Sequence, residues 1–165
     1  MVEQIRQLVR DPLFLFGMAV RIILIIFLAP ATQGDWFVPF IGNTIDNPTI
    51  DPWSYHIAAG GDELAFPYGP VMWLILTPST ALGALAGLLF PEANTALTAM
   101  GFSAGVIILD FLLLLAILQI MPSRQRLIIW LYWLSPIVLY VNYWHGQIDV
   151  VPILLLTTSL VALRK

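Results

Sequence analysis

The sequence predicts an all-α, polytopic membrane protein, and three observations carry that prediction. Of 165 residues, 59% are apolar and only 10% are charged, where an ordinary soluble domain carries roughly a quarter charged. The apolar residues gather into long unbroken stretches. The charges segregate, basic residues marking the ends of some stretches and acids filling one long connection. With no cysteine there is neither a disulfide framework nor a thiolate metal site, and two histidines give little scope for a multi-histidine centre. A net charge of −3, so distributed, points to the lipid bilayer as partner and to no nucleic acid.

A bilayer core of about 30 Å takes about 20 apolar residues in helix. The first stretch covers residues 13–31. Ala-Pro-Ala at 29–31 resembles a signal-peptide cleavage site, but the apolar run is too long for one and contains Arg21. Residues 71–90, 96–121 and 127–144 follow, then a shorter run at 150–163. Short cytoplasmic loops are enriched in Lys and Arg. Arg6 and Arg10 precede the first stretch, Arg124 and Arg126 lie in Pro-Ser-Arg-Gln-Arg, and Arg164 and Lys165 end the chain. Between Asp35 and Glu92 there is no Lys or Arg, whereas Asp46, Asp51, Asp62, Glu63 and Glu92 accompany Asp35. That segment is expected outside.

Five crossings would put Arg124 and Arg126 outside as well, against the charge rule. Four crossings, at 13–31, 96–121, 127–144 and 150–163, keep every juxtamembrane basic group and both termini cytoplasmic. The residues set aside are 71–90, where Pro78 removes a backbone donor and Gly83 and Gly87 lower helix propensity. The expectation is a helix that dips into the membrane within a long extracytoplasmic loop, 32–95; the rival is a Pro-kinked spanning helix. A loop of about 64 residues is too long for a mere connection. Its aromatics, Trp36, Phe37, Phe40, Trp53, Tyr55, Phe66, Tyr68 and Trp73, are expected as anchors at headgroup level.

Asp35 follows the first crossing directly, and Asp51 opens Asp-Pro-Trp. Either carboxylate, just outside the hydrocarbon, suits a general base acting on a hydroxyl. Asp51 suits a helix cap equally well, since Asp before Pro is a helix start signal. Asp110 lies inside the second crossing, where a carboxyl must face the bundle. Arg21 is its expected partner, in a structural ion pair. In His-Gly-Gln-Ile-Asp, 145–149, His145, Gln147 and Asp149 offer hydrogen bonds that suit a phosphate or a sugar hydroxyl, or simply make a polar turn.

Taken together, the loop carboxylate, Phe-Pro-Tyr-Gly-Pro at 66–70, Leu-Asp-Phe-Leu-Leu-Leu-Leu at 109–115 and the turn at 145–149 resemble the front end of the GT-C glycosyltransferases. These multi-spanning enzymes take a sugar from a polyprenyl-phosphate carrier. The stretch 135–149 is similar to one in the dolichyl-phosphate-glucose glucosyltransferases, and bacterial GT-C mannosyltransferase-like proteins share the pattern. The resemblance covers nearly the whole chain. It implies a GT-C-like N-terminal module whose first extracytoplasmic loop carries juxtamembrane helices and a catalytic base, Asp35 with Asp51 as runner-up. It further implies that Tyr55, Tyr68, His145, Gln147 and Asp149 bind substrate, and that a hexose passes from a lipid-phosphate donor to an acceptor at the extracytoplasmic face, the plasma membrane in a prokaryote.

The family usually has eight or more crossings, so the expectation is a single membrane domain, 1–165, incomplete relative to the family. Either a C-terminal half is missing, or a second membrane polypeptide completes it, or activity has been lost. No cofactor is required. A donor phosphate needs positive charge, for which Arg21, a supplied divalent metal or the missing half are the sources. The alternative reading is a non-catalytic membrane subunit that binds a lipid-linked sugar or scaffolds a partner. A transporter ranks third, since only Arg21 and Asp110 are ionisable within the spans.

Overall fold

The computed structural model describes residues 2–28 and 30–164, with Val2 and Gln4 described in backbone only. The Ala-Pro-Ala reading at 29–31 rests partly on Ala29, which lies outside the described residues, as does the terminal Lys165. All regular structure among the described residues is helical, with no strand. Nine α-helices are described: α1 (Val2–Leu8), α2 (Pro12–Phe27), α3 (Val38–Asp46), α4 (Pro52–Ala58), α5 (Pro70–Leu89), α6 (Asn94–Ile120), α7 (Gln125–Ile128), α8 (Pro136–Leu139) and α9 (Val150–Leu163). π-Helical turns occupy Thr32–Phe37, Ile129–Trp133 and Tyr140–His145. The chain divides into two compact units, one of Met1–Leu28 with Ile107–Lys165, the other of Ala29–Val106.

Among the described residues α5 and the segment Pro91–Ile120 are each long and apolar enough to cross a membrane. The number rises to four if each of two bent pairs is one span, Pro12–Phe27 with Thr32–Asp46 and Pro122–Trp133 with Pro136–His145. α9, at 14 residues, is shorter than a full crossing. The expected long loop at 32–95 is largely helical, and Pro78 does not interrupt 71–90. α5 runs through it unbroken, 20 residues long. The hydroxyls of Thr77, Ser79 and Thr80 donate to the carbonyls of Trp73 and Leu76 at 2.7, 3.1 and 2.8 Å, on either side of the carbonyl that Pro78 leaves without its usual donor.

In the first unit α2 starts on a cap. Asp11 accepts from the Leu13 amide at 2.9 Å and Pro12 takes the first helical position. Its buried stripe is Phe14, Gly17 and Arg21, three residues at helical spacing. Phe14 joins Leu8, Leu114, Leu118, Ile128, Ile129 and Trp133 in the core of this unit. Leu15, Phe16, Ile22, Ile23, Ile26 and Phe27 of the same helix are exposed, an apolar face of the kind that contacts lipid.

The core depends on Trp133. Its ring stacks on Phe14, centroids 5.1 Å apart, and its indole N–H donates to the Phe14 carbonyl at 2.9 Å. A Cβ on Gly17 would stand 2.5 Å from that ring, so only glycine lets the two approach. The expected continuous helix at 127–144 is broken here. Pro136 drives Ser135 into extended backbone, and the two halves are bent by 48°. The break takes the Trp133 carbonyl out of register with the following helix, and it accepts from Arg21 Nη1 at 2.7 Å.

Arg21 and Asp110 pair as expected, Nε to Oδ2 at 2.7 Å, both fully buried. Nη1 also donates to the Gly17 carbonyl at 3.1 Å, and the guanidinium carbon lies 3.6 Å from the Trp133 ring centroid, a close cation–π contact. The carboxylate accepts further from the Tyr143 hydroxyl at 2.9 Å and from the Tyr132 hydroxyl. At the far end of α6 the Arg164 guanidinium donates to the Ile120 carbonyl at 3.0 Å, a cation at a helix C-terminus.

In the second unit an aromatic core replaces the expected row of interfacial anchors. Phe40 stacks on Phe66 at 4.9 Å, Phe37 meets Phe66, Tyr68 and Phe102 edge-on or tilted, and Phe37, Phe40 and Phe66 are all buried. Such pairs add about 0.5–1.5 kcal/mol each beyond their area, so the rings gain more from one another than from the headgroup layer. The indoles of Trp53 and Trp73 donate to the Phe66 carbonyl at 3.0 Å and to Thr44 at 3.1 Å. Trp36 alone of the tryptophans in this unit is well exposed.

The glycines weighed as lowering helix propensity in 71–90 lie on its packing surface. Gly83 and Gly87 on α5, and Gly101 and Gly105 on α6, make two small-xxx-small patterns. A Cβ on Gly101 would stand 2.5 Å from the Ser79 carbonyl and 2.9 Å from the Gly83 Cα, and one on Gly83 would collide with the Leu97 carbonyl.

Two outcomes are expected for unfolding followed in detergent micelles. Arg21→Leu or Asp110→Leu alone costs about 3–5 kcal/mol, because each strands a buried charge, and the double variant recovers most of that loss. Gly101→Leu costs about 1–3 kcal/mol through overpacking, whereas Gly42→Ala on α3, whose Cβ meets nothing within 4 Å, is neutral or stabilising.

Candidate functional site

The expected site residues fall in both units. Asp35, Asp51, Tyr55 and Tyr68 belong to the Ala29–Val106 unit; His145, Gln147 and Asp149 belong to the other.

Asp51 is a cap. Its carboxylate accepts from the Ser54 amide at 3.1 Å and from the Ser54 hydroxyl at 2.6 Å, at the start of α4 and ahead of Pro52. The Ser54 hydroxyl, then the Ser54 amide, hold its pKa below the usual carboxylate value, which makes it a weaker base. Between the two loop carboxylates, the cap reading of Asp51 therefore leaves Asp35 as the base candidate.

Asp35 sits in the π-helical turn Thr32–Phe37. It is exposed and no described residue bonds to its carboxylate. With Ala31, Thr32 and Trp36 it lines a hollow of about 160 Å³. π-Turns carry one residue more per turn than α-helix and recur at functional sites. Here the turn leads directly into α3, whose buried side, Val38, Phe40, Ile41 and Thr44, holds it on the aromatic core. Tyr68 is part of that core, with its ring 5.6 Å from Phe37 and 5.4 Å from Phe66. Tyr55 lies half-buried on α4.

The side of α3 that faces away from the aromatics lines two further hollows, each of about 270 Å³. One has the more polar wall, with Asn43, Asp46, Asn94, Thr95 and Thr98; the other has Ile45, Ala84, Leu85 and Leu88 in place of Asn43 and Thr95 and is the more apolar of the two. Gly42, Asp46, Asn94 and Thr98 line both. These polar residues escaped the sequence reading. Asp46 counted there only toward loop charge, and the signal that could have found it is its helical spacing from Asp35 through Gly42.

In the other unit the turn at 145–149 follows the π-turn Tyr140–His145. Gly146 is left-handed, φ 83°, and both its amide and that of Gln147 donate to the Val141 carbonyl. His145 is exposed, with its ring 6.2 Å from Tyr140. Gln147 is half-buried. Asp149 precedes α9 without capping it. Its side chain, with Tyr132 and Asn142, marks the polar edge of a mostly aliphatic cavity of about 220 Å³ that also touches Leu113, Val141 and Ile153.

Among the described residues no three His, Asp or Glu side chains are grouped to hold a metal ion. The carboxylate of Asp35 is placed where it can accept a proton from a hydroxyl brought to it.

Asp51 supplies a pH test. Because its folded pKa is depressed, its contribution to α4 is present above the unfolded value and is lost as pH falls through the lower folded one. Protection of the Ser54 amide against hydrogen exchange is expected to hold at neutral pH and to fail only below about pH 4. Asp51→Ala should lose that protection at every pH.

Compared with known proteins, the chain matches no family model, no curated protein and no solved structure.

Proposed function

We propose that this chain is a GT-C-like membrane glycosyltransferase module that transfers a hexose from a polyprenyl-phosphate donor to an acceptor hydroxyl at the extracytoplasmic face. The reading takes the acid-rich, Lys- and Arg-free segment as external and Arg6, Arg10, Arg124, Arg126 and Arg164 as cytoplasmic. The observation that carries it is the state of Asp35, an exposed carboxylate with no described partner, held at the head of α3 beside Trp36. In the step, Asp35 takes the proton of the acceptor hydroxyl and the oxygen attacks the anomeric carbon. The bond from that carbon to the phosphate oxygen breaks, and polyprenyl phosphate leaves with the electron pair.

A second reading, a non-catalytic subunit that binds a lipid-linked sugar, draws on the aliphatic cavity beside Asp149, which suits a hydrocarbon chain.

Membranes carrying the protein, given a polyprenyl-phosphate hexose and a glycolipid extract, test the first reading. Asp35→Asn is expected to lower transfer by about 100-fold or more, the usual loss of a general base. Asp51→Asn should stay within about threefold of the parent. Equal transfer by the parent and Asp35→Asn would remove the mechanism.

A further inference from the structure

The paired hollows along α3 have a lining that selects a ligand class. The polar one offers acceptors and donors together: the Asp46 carboxylate, which no described residue engages, the Asn43 carboxamide, the Thr95 hydroxyl and the Asn94 amide nitrogen. Asn43 already meets His56 through its nitrogen at 3.3 Å, and the Asn94 side-chain oxygen accepts from Thr98 at 3.3 Å. What remains is a mixed set, and a sugar-type hydroxyl, which donates one hydrogen bond and accepts two, matches a mixed set best.

Charge excludes the main competitor. No Lys or Arg occurs anywhere in 29–106, where six acids do. The histidine of that segment, His56, is buried. A phosphate or carboxylate ligand would meet only like charge there, and a desolvated anion needs a partner. A metal ion would meet a single carboxylate there, Asp46, since among the described residues no three His, Asp or Glu side chains are grouped to hold one.

The apolar hollow supplies the second half. It shares Gly42 and Asp46 with the polar one and continues over Leu85 and Leu88, both widely exposed on α5. Asn94, Thr95 and Thr98 form the polar opening of α6, a 27-residue and mostly apolar helix. At 1.5 Å per residue it is about 40 Å long, against a hydrocarbon core of about 30 Å. If the apolar remainder of α6 crosses, its polar first turns are left over for the headgroup layer.

We propose that this amphipathic groove binds an uncharged glycolipid, with its hydroxyl-rich headgroup between Asn43, Asp46 and Thr95 and its chain along Leu85 and Leu88. Its role as acceptor rests on the transfer reading, because Asp35 heads the same helix; the binding itself does not.

Native mass spectrometry of the protein released from phosphatidylcholine nanodiscs tests it, with monoglucosyl diacylglycerol as probe and phosphatidylglycerol of the same chains as the anionic counterpart. The glucosyl lipid is expected to be retained about tenfold over phosphatidylglycerol, a preference of about 1.4 kcal/mol. Gly42→Phe, at a position with open space around its Cβ, should abolish retention, and Asp46→Ala should weaken it several-fold, with helical content unchanged in both. Equal retention of the two lipids would overturn the proposal, as would full retention in both variants. Displacement of the glucosyl lipid by methyl β-glucoside alone would overturn its lipid half. Asp35→Asn should keep the lipid. Retention there together with no transfer by the parent protein would refute the reaction and leave the groove standing.

Discussion

A guanidinium and a carboxylate with no exposed surface set the terms for the unit that holds them. Arg21 and Asp110 are far apart in sequence, and neither is tolerable in a low-dielectric interior without the other. Their remaining hydrogen-bonding capacity is met largely by groups that regular helices would not provide: the Trp133 carbonyl released at the Pro136 break, and two tyrosine hydroxyls presented by irregular turns. One guanidinium nitrogen, Nη2, finds no hydrogen-bond partner among the described residues, and the flat indole of Trp133 covers the group. The ion pair therefore accounts for a break at Pro136 and a buried Trp133 in one apolar segment and for the glycine, Gly17, that faces them from α2.

The second unit solves a different problem. It carries six acids and no Lys or Arg, so ion pairing with basic side chains of its own is unavailable to it. Aromatic packing and helix-to-helix glycine contact supply the cohesion instead. The acids then go where water can reach them, at caps such as Asp51 and Asp62 or free on the surface as Asp35 and Asp46. A carboxylate at a cap is committed to the backbone, whereas a free one is open to a partner from outside.

Much of this was legible in the residues. Apolar run length located α2, α5, α6 and α9 within a few residues, and the ion pair followed from the rule that a charge inside a span needs a mate. Asp-Pro-Trp announced a cap as readily as a catalyst, and local hydrogen bonding decided it. Two signals misled. Gly83 and Gly87 were weighed as helix weakeners, which holds for an isolated helix; against α6 the missing side chains are what permits contact. The loop aromatics were assigned to the headgroup layer singly, because no one-dimensional rule reveals that Phe37, Phe40 and Phe66 would find one another. The groove along α3 lay beyond sequence reading for the same reason, since part of its wall, Asn94, Thr95 and Thr98, comes from some fifty positions away.

The π-helical turns leave a final consequence. Each residue advances an α-helix by about 100°, and a π-turn holds one residue more than the helix around it needs. Deleting one residue from 140–142 would let that segment relax into an ordinary helix and swing Tyr143 by that angle away from Asp110. What keeps the phenol aimed is thus the number of residues in the segment, and an insertion or deletion there would do more harm than most substitutions.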